Sequence, residues 1–291
     1  MLKFFGLLIL AASIFGGFVA SDGQLLSLWQ PGQIFIIIGG GIGAFVIANP
    51  WAVIVRTGRY LSRAITGKNS YPTEFYQKLL TLLFELFEVR RRVGSAALEE
   101  HIDHPDQSVL FIESGILEYE RLTSFICDNL RLVTLGKVLP HELEGLLEQE
   151  LATMNEDYLR PADAMQAVAD SLPGFGIIAA VMGIILTMQS MDGPAYLLGM
   201  KVAGALVGSF LGILLCYGLL NPLAKSITHA IREETQLFEC VRAALTALVY
   251  GRPSAIAVDA GRRMLFTEVR PSFDQLESWL LESHPTTESR E

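Results

Sequence analysis

The sequence predicts an all-α fold, a polytopic membrane protein with four transmembrane helices and a helical cytoplasmic domain, and three observations carry that prediction. Four apolar stretches, Phe4–Ala20, Ile34–Val55, Leu172–Ser190 and Leu197–Leu220, each approach the ~20 residues a helix needs to cross a ~30 Å hydrocarbon layer. None of the four carries an aspartate or glutamate in its middle. The stretches fall into two pairs, and a charged, helix-prone segment separates the pairs. The chain therefore divides into a first transmembrane helix pair at 1–55, a cytoplasmic helical domain at 56–171, a second pair at 172–221 and a cytoplasmic helical tail at 222–291.

Composition excludes other classes. Of 291 residues, 51% are hydrophobic and only 18% charged, which reads as a polytopic membrane protein and not as a large soluble core. The net charge of −9 argues against nucleic acid, which favours basic surfaces. Cys127, Cys216 and Cys240 form no close pair, which fits a reducing side or the membrane interior. Lys3 and the small residues at 19–21 resemble a cleavable leader. A retained helix is the preferred reading, because removal leaves three crossings and puts Arg56–Lys68 outside. Arg56, Arg59, Arg63 and Lys68 follow the second stretch, and Lys225 and Arg232 follow the fourth; the connections Ser21–Gln33 and Met191–Tyr196 hold no Lys or Arg. The positive-inside rule then places both termini and the middle segment in the cytoplasm.

The elements follow in order. Tyr71-Pro72-Thr73 breaks the chain, and Thr73 suits the cap of a helix from Glu74 toward Glu100, with Leu79, Leu80, Leu83, Leu86 and Phe87 on one face. Pro105 interrupts, and Ser108 suits the cap of a helix through Leu135. Pro140 suits a first helical position, with acids at 142, 144 and 148 near its positive end. A turn at Arg160–Asp163 is expected to lead into the third crossing. Beyond Pro222 the pattern predicts a helix over Ala224–Leu248, ended by Gly251-Arg252-Pro253, then a short helix near Phe273–Leu281 and a disordered Thr/Ser/Glu-rich end.

The crossings carry rows of small residues: Gly204, Gly208, Gly212 and Cys216 on the fourth, and Gly176, Ala180 and Gly183 on the third, with Gly39, Gly40, Gly41 and Gly43 on the second. Such rows let helix backbones approach closely, either within one subunit or against a partner helix. Pro173 begins the third crossing and Pro222 ends the fourth, so they read as helix punctuation or as hinges. Ser209 suits a bond to its own helix carbonyl or contact with a travelling proton. Thr187 and Gln189 read as interfacial, and Lys201, about a turn into its crossing, reads as snorkelling outward. Arg90-Arg91-Arg92 and Glu99-Glu100 read as a solvated charge run, with Arg91 and Glu99 ~12 Å apart if one helix carries both. His101, Asp103, His104 and Asp106 are spaced too loosely for metal, and no cofactor or enzyme motif stands in its required context, so no metal, cofactor or catalysis is expected.

Three runs carry a family resemblance: Leu172-Pro-Gly-Phe-Gly-Ile-Ile-Ala-Ala-Val-Met-Gly183, Val207-Gly-Ser-Phe-Leu-Gly-Ile-Leu-Leu-Cys-Tyr-Gly-Leu-Leu-Asn-Pro222, and Gly261-Arg-Arg-Met-Leu-Phe266 through Arg270-Pro-Ser-Phe273. Together with the two-plus-two crossings, they resemble the MotA subunits of the bacterial flagellar stator over nearly the whole chain. The ExbB and TolQ type, which energises outer-membrane processes, has one crossing before its cytoplasmic part and is the alternative. The MotA resemblance implies a homopentamer around two copies of a MotB-type partner, a single-crossing, peptidoglycan-binding subunit with an ion-binding aspartate. It implies proton conduction across the inner membrane, torque on the rotor, and contact with the rotor switch protein FliG. Under that resemblance Arg91, with Arg90 beside it, and Glu99 are the rotor-contact charges, and Pro173 and Pro222 couple proton binding to helix movement. Ala180, Ser209 and Tyr217 line the ion path, and Gly176, Gly183, Gly204, Gly208 and Gly212 pack the helices. Sodium-driven relatives carry threonines at the positions of Ala180 and Ser209, so the resemblance favours protons.

Overall fold

The computed structural model describes residues 2–66, 71–136, 138–189 and 194–283. Lys68, part of the connection at 190–193 and most of the polar end lie outside the described residues. Regular structure among the described residues is helical throughout, in line with the expected fold class. Four helices are long and apolar enough to cross a membrane. Two compact units share the chain: Met1–Lys68 with Leu159–Ile231, and Asn69–Tyr158 with Arg232–Glu291.

The first unit holds the membrane helices. Helix α1 (Leu2–Ala20) has no charged residue beyond Lys3. A short 3₁₀ turn leads to α2 (Pro31–Ala48), which starts on proline, a residue with no N–H to leave unpaired there. The second apolar stretch is not one helix to Val55. Asn49 is extended at φ −122°, as the residue before a proline tends to be, and the chain restarts as α3 (Trp51–Thr66). One face of α3 is buried through Val53, Thr57, Tyr60 and Ala64.

The prolines do not punctuate as expected. Helix α8 runs unbroken over Pro140–Met188, with both Pro161 and Pro173 inside it. No turn occurs at Arg160–Asp163. A proline forfeits one backbone bond but does not end a helix whose flanking turns are packed, and Tyr158, Ala162, Met165 and Ala169 are all buried. Likewise Pro222 does not end the fourth crossing. Helix α9 (Ala195–Ile213) widens into a π-helical stretch, Leu214–Leu220, and continues as α10 (Asn221–Val249). The unit's membrane core joins Ile37 of α2, Ala169, Leu172 and Ala179 of α8, and Cys216 of the π stretch, with Phe175 and Leu215 against them.

The second unit is a helical lobe around α4 (Thr73–Arg92), which buries Leu79, Leu80, Leu82, Leu83, Leu86 and Phe87. Pro72, not Thr73, occupies its cap position. The expected helix to Glu100 is broken at Gly94, whose φ of +111° suits only glycine, and restarts as α5 (Ser95–Asp103). The expected helix from Ser108 to Leu135 is also divided, into α6 (Val109–Ser114) and α7 (Glu120–Leu135), by left-handed Gly115 and a 3₁₀ turn. The Ser108 hydroxyl is drawn away from capping by the His101 ring Nδ1, 2.8 Å away. Pro140 does begin α8, and Glu142 accepts the Leu139 N–H at 3.0 Å, a side-chain cap at that start. After Gly251, at φ +78°, comes α11 (Ser254–Arg262), an element the sequence pattern did not reveal, and then α12 (Phe273–Ser283). Phe238 packs edge-on against Phe125 at 5.3 Å between ring centres. The three cysteines are free and buried, and burial pushes the Cys127 and Cys240 thiols up to about 12.

Candidate functional site

Two sets of residues were singled out from sequence, one in each unit. In the membrane unit the small residues of α8 and α9 form a single seam. A Cβ on Gly176 would lie 2.7 Å from the Gly208 carbonyl oxygen and 3.1 Å from the Gly212 Cα. One on Gly212 would lie 2.7 Å from the Leu172 carbonyl oxygen, and one on Gly183 would lie 2.8 Å from the Ala205 Cβ. Gly176, Gly208 and Gly212 thus meet backbone against backbone within one subunit, whereas a Cβ on Gly204 would meet the Gln30 side chain at 3.0 Å and one on Gly39 or Gly43 would meet nothing within 4 Å. Gly208 meets the Ala179 Cβ and the Ala180 N–H, and Ala180 is buried. Ser209, next in the chain, is half-buried, and Tyr217 is 65% exposed. Pro173 is half-buried and Pro222 exposed. Thr187, expected at the interface, is buried and donates its hydroxyl to the Gly183 carbonyl at 2.8 Å.

Polar side chains that sequence reasoning passed over complete this seam. Gln33 donates Nε2 to the Gly204 carbonyl at 2.6 Å, and its buried Oε1 has no partner. It is the single polar side chain in α2, which was the available signal. At the other end of the seam Gln166 donates to Asn221 Oδ1 at 2.6 Å and to Asp170 at 3.0 Å. Asn221 adjoins Pro222 and Asp170 precedes Pro173 by less than a turn, so one amide links the two proline segments.

In the second unit Arg91 and Arg92 both donate to the same Glu88 oxygen at 2.7 Å. Both guanidinium side chains stay mostly exposed, while the Glu88 carboxylate is almost fully buried. Burial alone would push the Glu88 carboxyl up, but the bonds from Arg91 and Arg92 outweigh it and hold the carboxyl at about 2. Glu88 was missed although its i, i+3, i+4 spacing to the arginines is the spacing of side-chain neighbours on a helix. Arg90 is half-buried and Glu99 is exposed on α5. Because Gly94 separates the two helices, the ~12 Å spacing along one helix does not apply to Arg91 and Glu99. Of the loosely spaced His and Asp residues, His101 contacts Ser108 and Asp103 accepts from Arg131 at 2.7 Å.

Glu88 contributes to the fold in a pH-dependent way. Its folded value lies below the ordinary 4.5, so the contribution is complete above that pH and is lost as pH falls through about 2. Glu88→Gln is expected to destabilise the full chain by about 1–3 kcal/mol at neutral pH, discounted for the exposed arginines. Thermal unfolding from pH 7 downward checks this: the gap to the native chain should narrow below pH ~4.5. A gap that does not change with pH would show that the carboxylate's charge is irrelevant.

The motif near the end is a staple. Asp259 accepts from both Arg262 and Arg263 at 2.7 Å, and Arg262 donates onward to the Pro271 carbonyl at 2.8 Å. Burial would raise the Asp259 carboxyl, but the Arg263 and Arg262 bonds bring it below its ordinary value. Gly261 is required by contact: a Cβ there would lie 2.7 Å from the Cys240 carbonyl oxygen.

These features define a class: a multi-pass membrane protein whose apolar stretches hold no carboxylate and whose helices pack on glycine, with a charged helical lobe. Residues 4–94 match the family model described as motility protein A N-terminal, and residues 118–240 match the MotA/TolQ/ExbB proton channel family. The chain is 43% identical over 283 residues to the chemotaxis protein LafT of Vibrio parahaemolyticus, covering 97% of this chain and 99% of that one. It is 38% identical to motility protein A of Salmonella typhimurium over 95% of this chain and 94% of that one. Among solved structures, Campylobacter jejuni MotAB matches with a TM-score of 0.71 at 17% identity, covering 92% of this chain and 97% of that one. The flagellar MotAB stator complex of Bacillus subtilis matches at 0.65 and 23% identity, over 94% and 98%. The chain belongs to the motility protein A branch of the MotA/TolQ/ExbB proton channel family.

Proposed function

We propose that this chain is a flagellar stator subunit that conducts protons with a MotB-type, single-span partner and converts the gradient into torque. The observation that carries the reading is the absence of Asp and Glu from all four apolar stretches of a proton-channel family member. The titratable acid then comes from the partner. The ExbB and TolQ alternative is disfavoured by the two apolar helices, α1 and α2, that precede the lobe and fall within the motility protein A match.

In this reading five copies surround two partner chains in the inner membrane, with both termini and the lobe in the cytoplasm. Ala180, Ser209 and Tyr217 line the ion path, with the Ala180 backbone N beside Gly208. A methyl at Ala180 offers no ligand to sodium, which favours protons. Protonating the partner aspartate removes the cost of a charge in a low-dielectric channel. Each charge crossing ~100 mV supplies ~2.3 kcal/mol, several times thermal energy, so biased stepping follows. Pro173 and Pro222, joined through Gln166 and Asn221, carry the local change along their helices. Arg91, Arg90 and Glu99 meet the charges of the rotor switch protein FliG.

Proton uptake by vesicles holding the chain together with a single-span partner tests the reading. Flux should vanish when the partner aspartate becomes asparagine. Flux from the chain alone would overturn it. For the rotor contact, Glu99→Lys should reduce soft-agar swimming more than Glu99→Gln, since a single exposed pair is worth only ~0–1 kcal/mol but a reversed charge also repels. Unchanged swimming in Glu99→Lys would remove Glu99 from the contact.

A further inference from the structure

We propose that α3 lies in the plane of the membrane surface and that its arginine edge binds the headgroup phosphates of anionic phospholipids. The placement follows from connectivity. The start of α3 is joined to the end of the α2 span through Asn49 and Pro50 alone. Its last turn is fastened to the start of the α1 span, where Lys3 donates to the Ala64 carbonyl at 3.0 Å and to Ser226. Two consecutive spans run in opposite directions, so the start of α1 and the end of α2 share one membrane surface. A helix of ~24 Å tethered at both ends to that surface runs along it.

The side chains of α3 fall into three sectors at ~100° per residue. Val53, Thr57, Tyr60 and Ala64 are buried against the protein. Trp51, Ile54, Leu61 and Ile65 form an apolar flank, with Trp51 77% and Ile65 65% exposed. Arg56, Arg59 and Arg63 form the opposite flank, with Arg59 and Arg63 exposed. A helix with one face on protein, one apolar edge and one cationic edge matches the boundary between acyl chains and headgroups, and tryptophan is characteristic of that depth. The occupant is set by charge. From Gly23 to Thr73 the chain has no Asp or Glu, although the whole protein is at −9. An acid-free, arginine-bearing edge inside an acidic protein complements a lipid anion, and guanidinium forks pair with phosphate oxygens.

The test uses the purified full chain in detergent, titrated with phosphatidylglycerol, with phosphatidylcholine as a zwitterionic comparator and inorganic phosphate as a free anion. Lipid retained per chain is read by native mass spectrometry, with the thermal midpoint alongside. The native chain should retain phosphatidylglycerol in preference to phosphatidylcholine. Arg59→Gln with Arg63→Gln should weaken phosphatidylglycerol retention on the order of ten- to thirtyfold and leave phosphatidylcholine retention unchanged. Arg59→Lys with Arg63→Lys should keep most of the preference, which separates loss of charge from loss of fold. Equal retention of the two lipids, an undiminished preference in the glutamine variant, or an equal midpoint shift with inorganic phosphate would each overturn the proposal. This outcome is independent of proton flux, so it stands or falls apart from the stator reading.

Discussion

Gly176→Val and Gly212→Val are each expected to abolish swimming and to leave little of the protein in the membrane. A side chain in place of a helical glycine ordinarily helps the helix by roughly 0.5–1 kcal/mol. Here the gain is overwhelmed. The new Cβ at either position lands 2.7 Å from a backbone carbonyl oxygen of the facing helix, closer than real side chains approach. Backbone cannot rotate aside as a flexible side chain can, so α8 and α9 must separate. Overpacking alone costs roughly 1–3 kcal/mol, and separation also uncovers Leu172, Ala179 and Cys216. Gly174 is the control: a Cβ there meets nothing within 4 Å, so Gly174→Ala should accumulate normally. Quantitative immunoblotting of membranes and soft-agar assays check all three. Normal accumulation of Gly212→Val would show that the seam is looser than the glycine contacts imply.

Pro222→Ala should do the opposite to stability and similar harm to function. Proline in a helix interior costs ~3 kcal/mol, from the lost N–H bond and the clash with the carbonyl four residues back. The widened turn at Leu214–Leu220 sits where that clash would fall, on Gly218. Alanine restores the donor and removes the reason for the wide turn. The segment is then free to tighten into α-helix, which re-phases side chains by ~100° for each residue absorbed. Ser209 lies just before that change and Tyr217 within it. The expected result is normal membrane accumulation, a thermal midpoint raised by a few degrees, and swimming reduced severalfold or more. Hydrogen exchange across 214–222 reads the tightening directly. Normal swimming with a tightened segment would exclude this stretch from the motor cycle.

What was legible in the sequence follows from which constraints are local. The apolar spans were readable because lipid demands an uninterrupted run, and α1 begins and ends close to where its run does. The glycine rows were readable as close packing, but whether they faced their own subunit depended on which helix lay opposite. The prolines misled. Pro161, Pro173 and Pro222 each read as a boundary, and each lies within a continuous helical stretch, because tertiary packing on both sides outweighs one missing bond. Glycine misled in the other sense: Gly94 and Gly115 end helices that the apolar periodicity alone would continue. In the candidate sites, the charged residues stood out, but the groups that organise them did not. Glu88 is buried under Arg91 and Arg92, and Gln33 reaches a carbonyl on a helix distant in sequence. Both act through partners that only folding supplies.

The buried cysteines offer an experimental convenience. A thiol with a pKa near 12 presents almost no thiolate at neutral pH, and Cys127 and Cys240 are both in that state, while Cys216 is shut inside the helix seam. Maleimides and bifunctional crosslinkers should therefore pass over the unaltered polypeptide. A single cysteine engineered at Arg59, Glu99 or Tyr217 would report its own surroundings against a silent background, with no need to strip the natural sulfurs first.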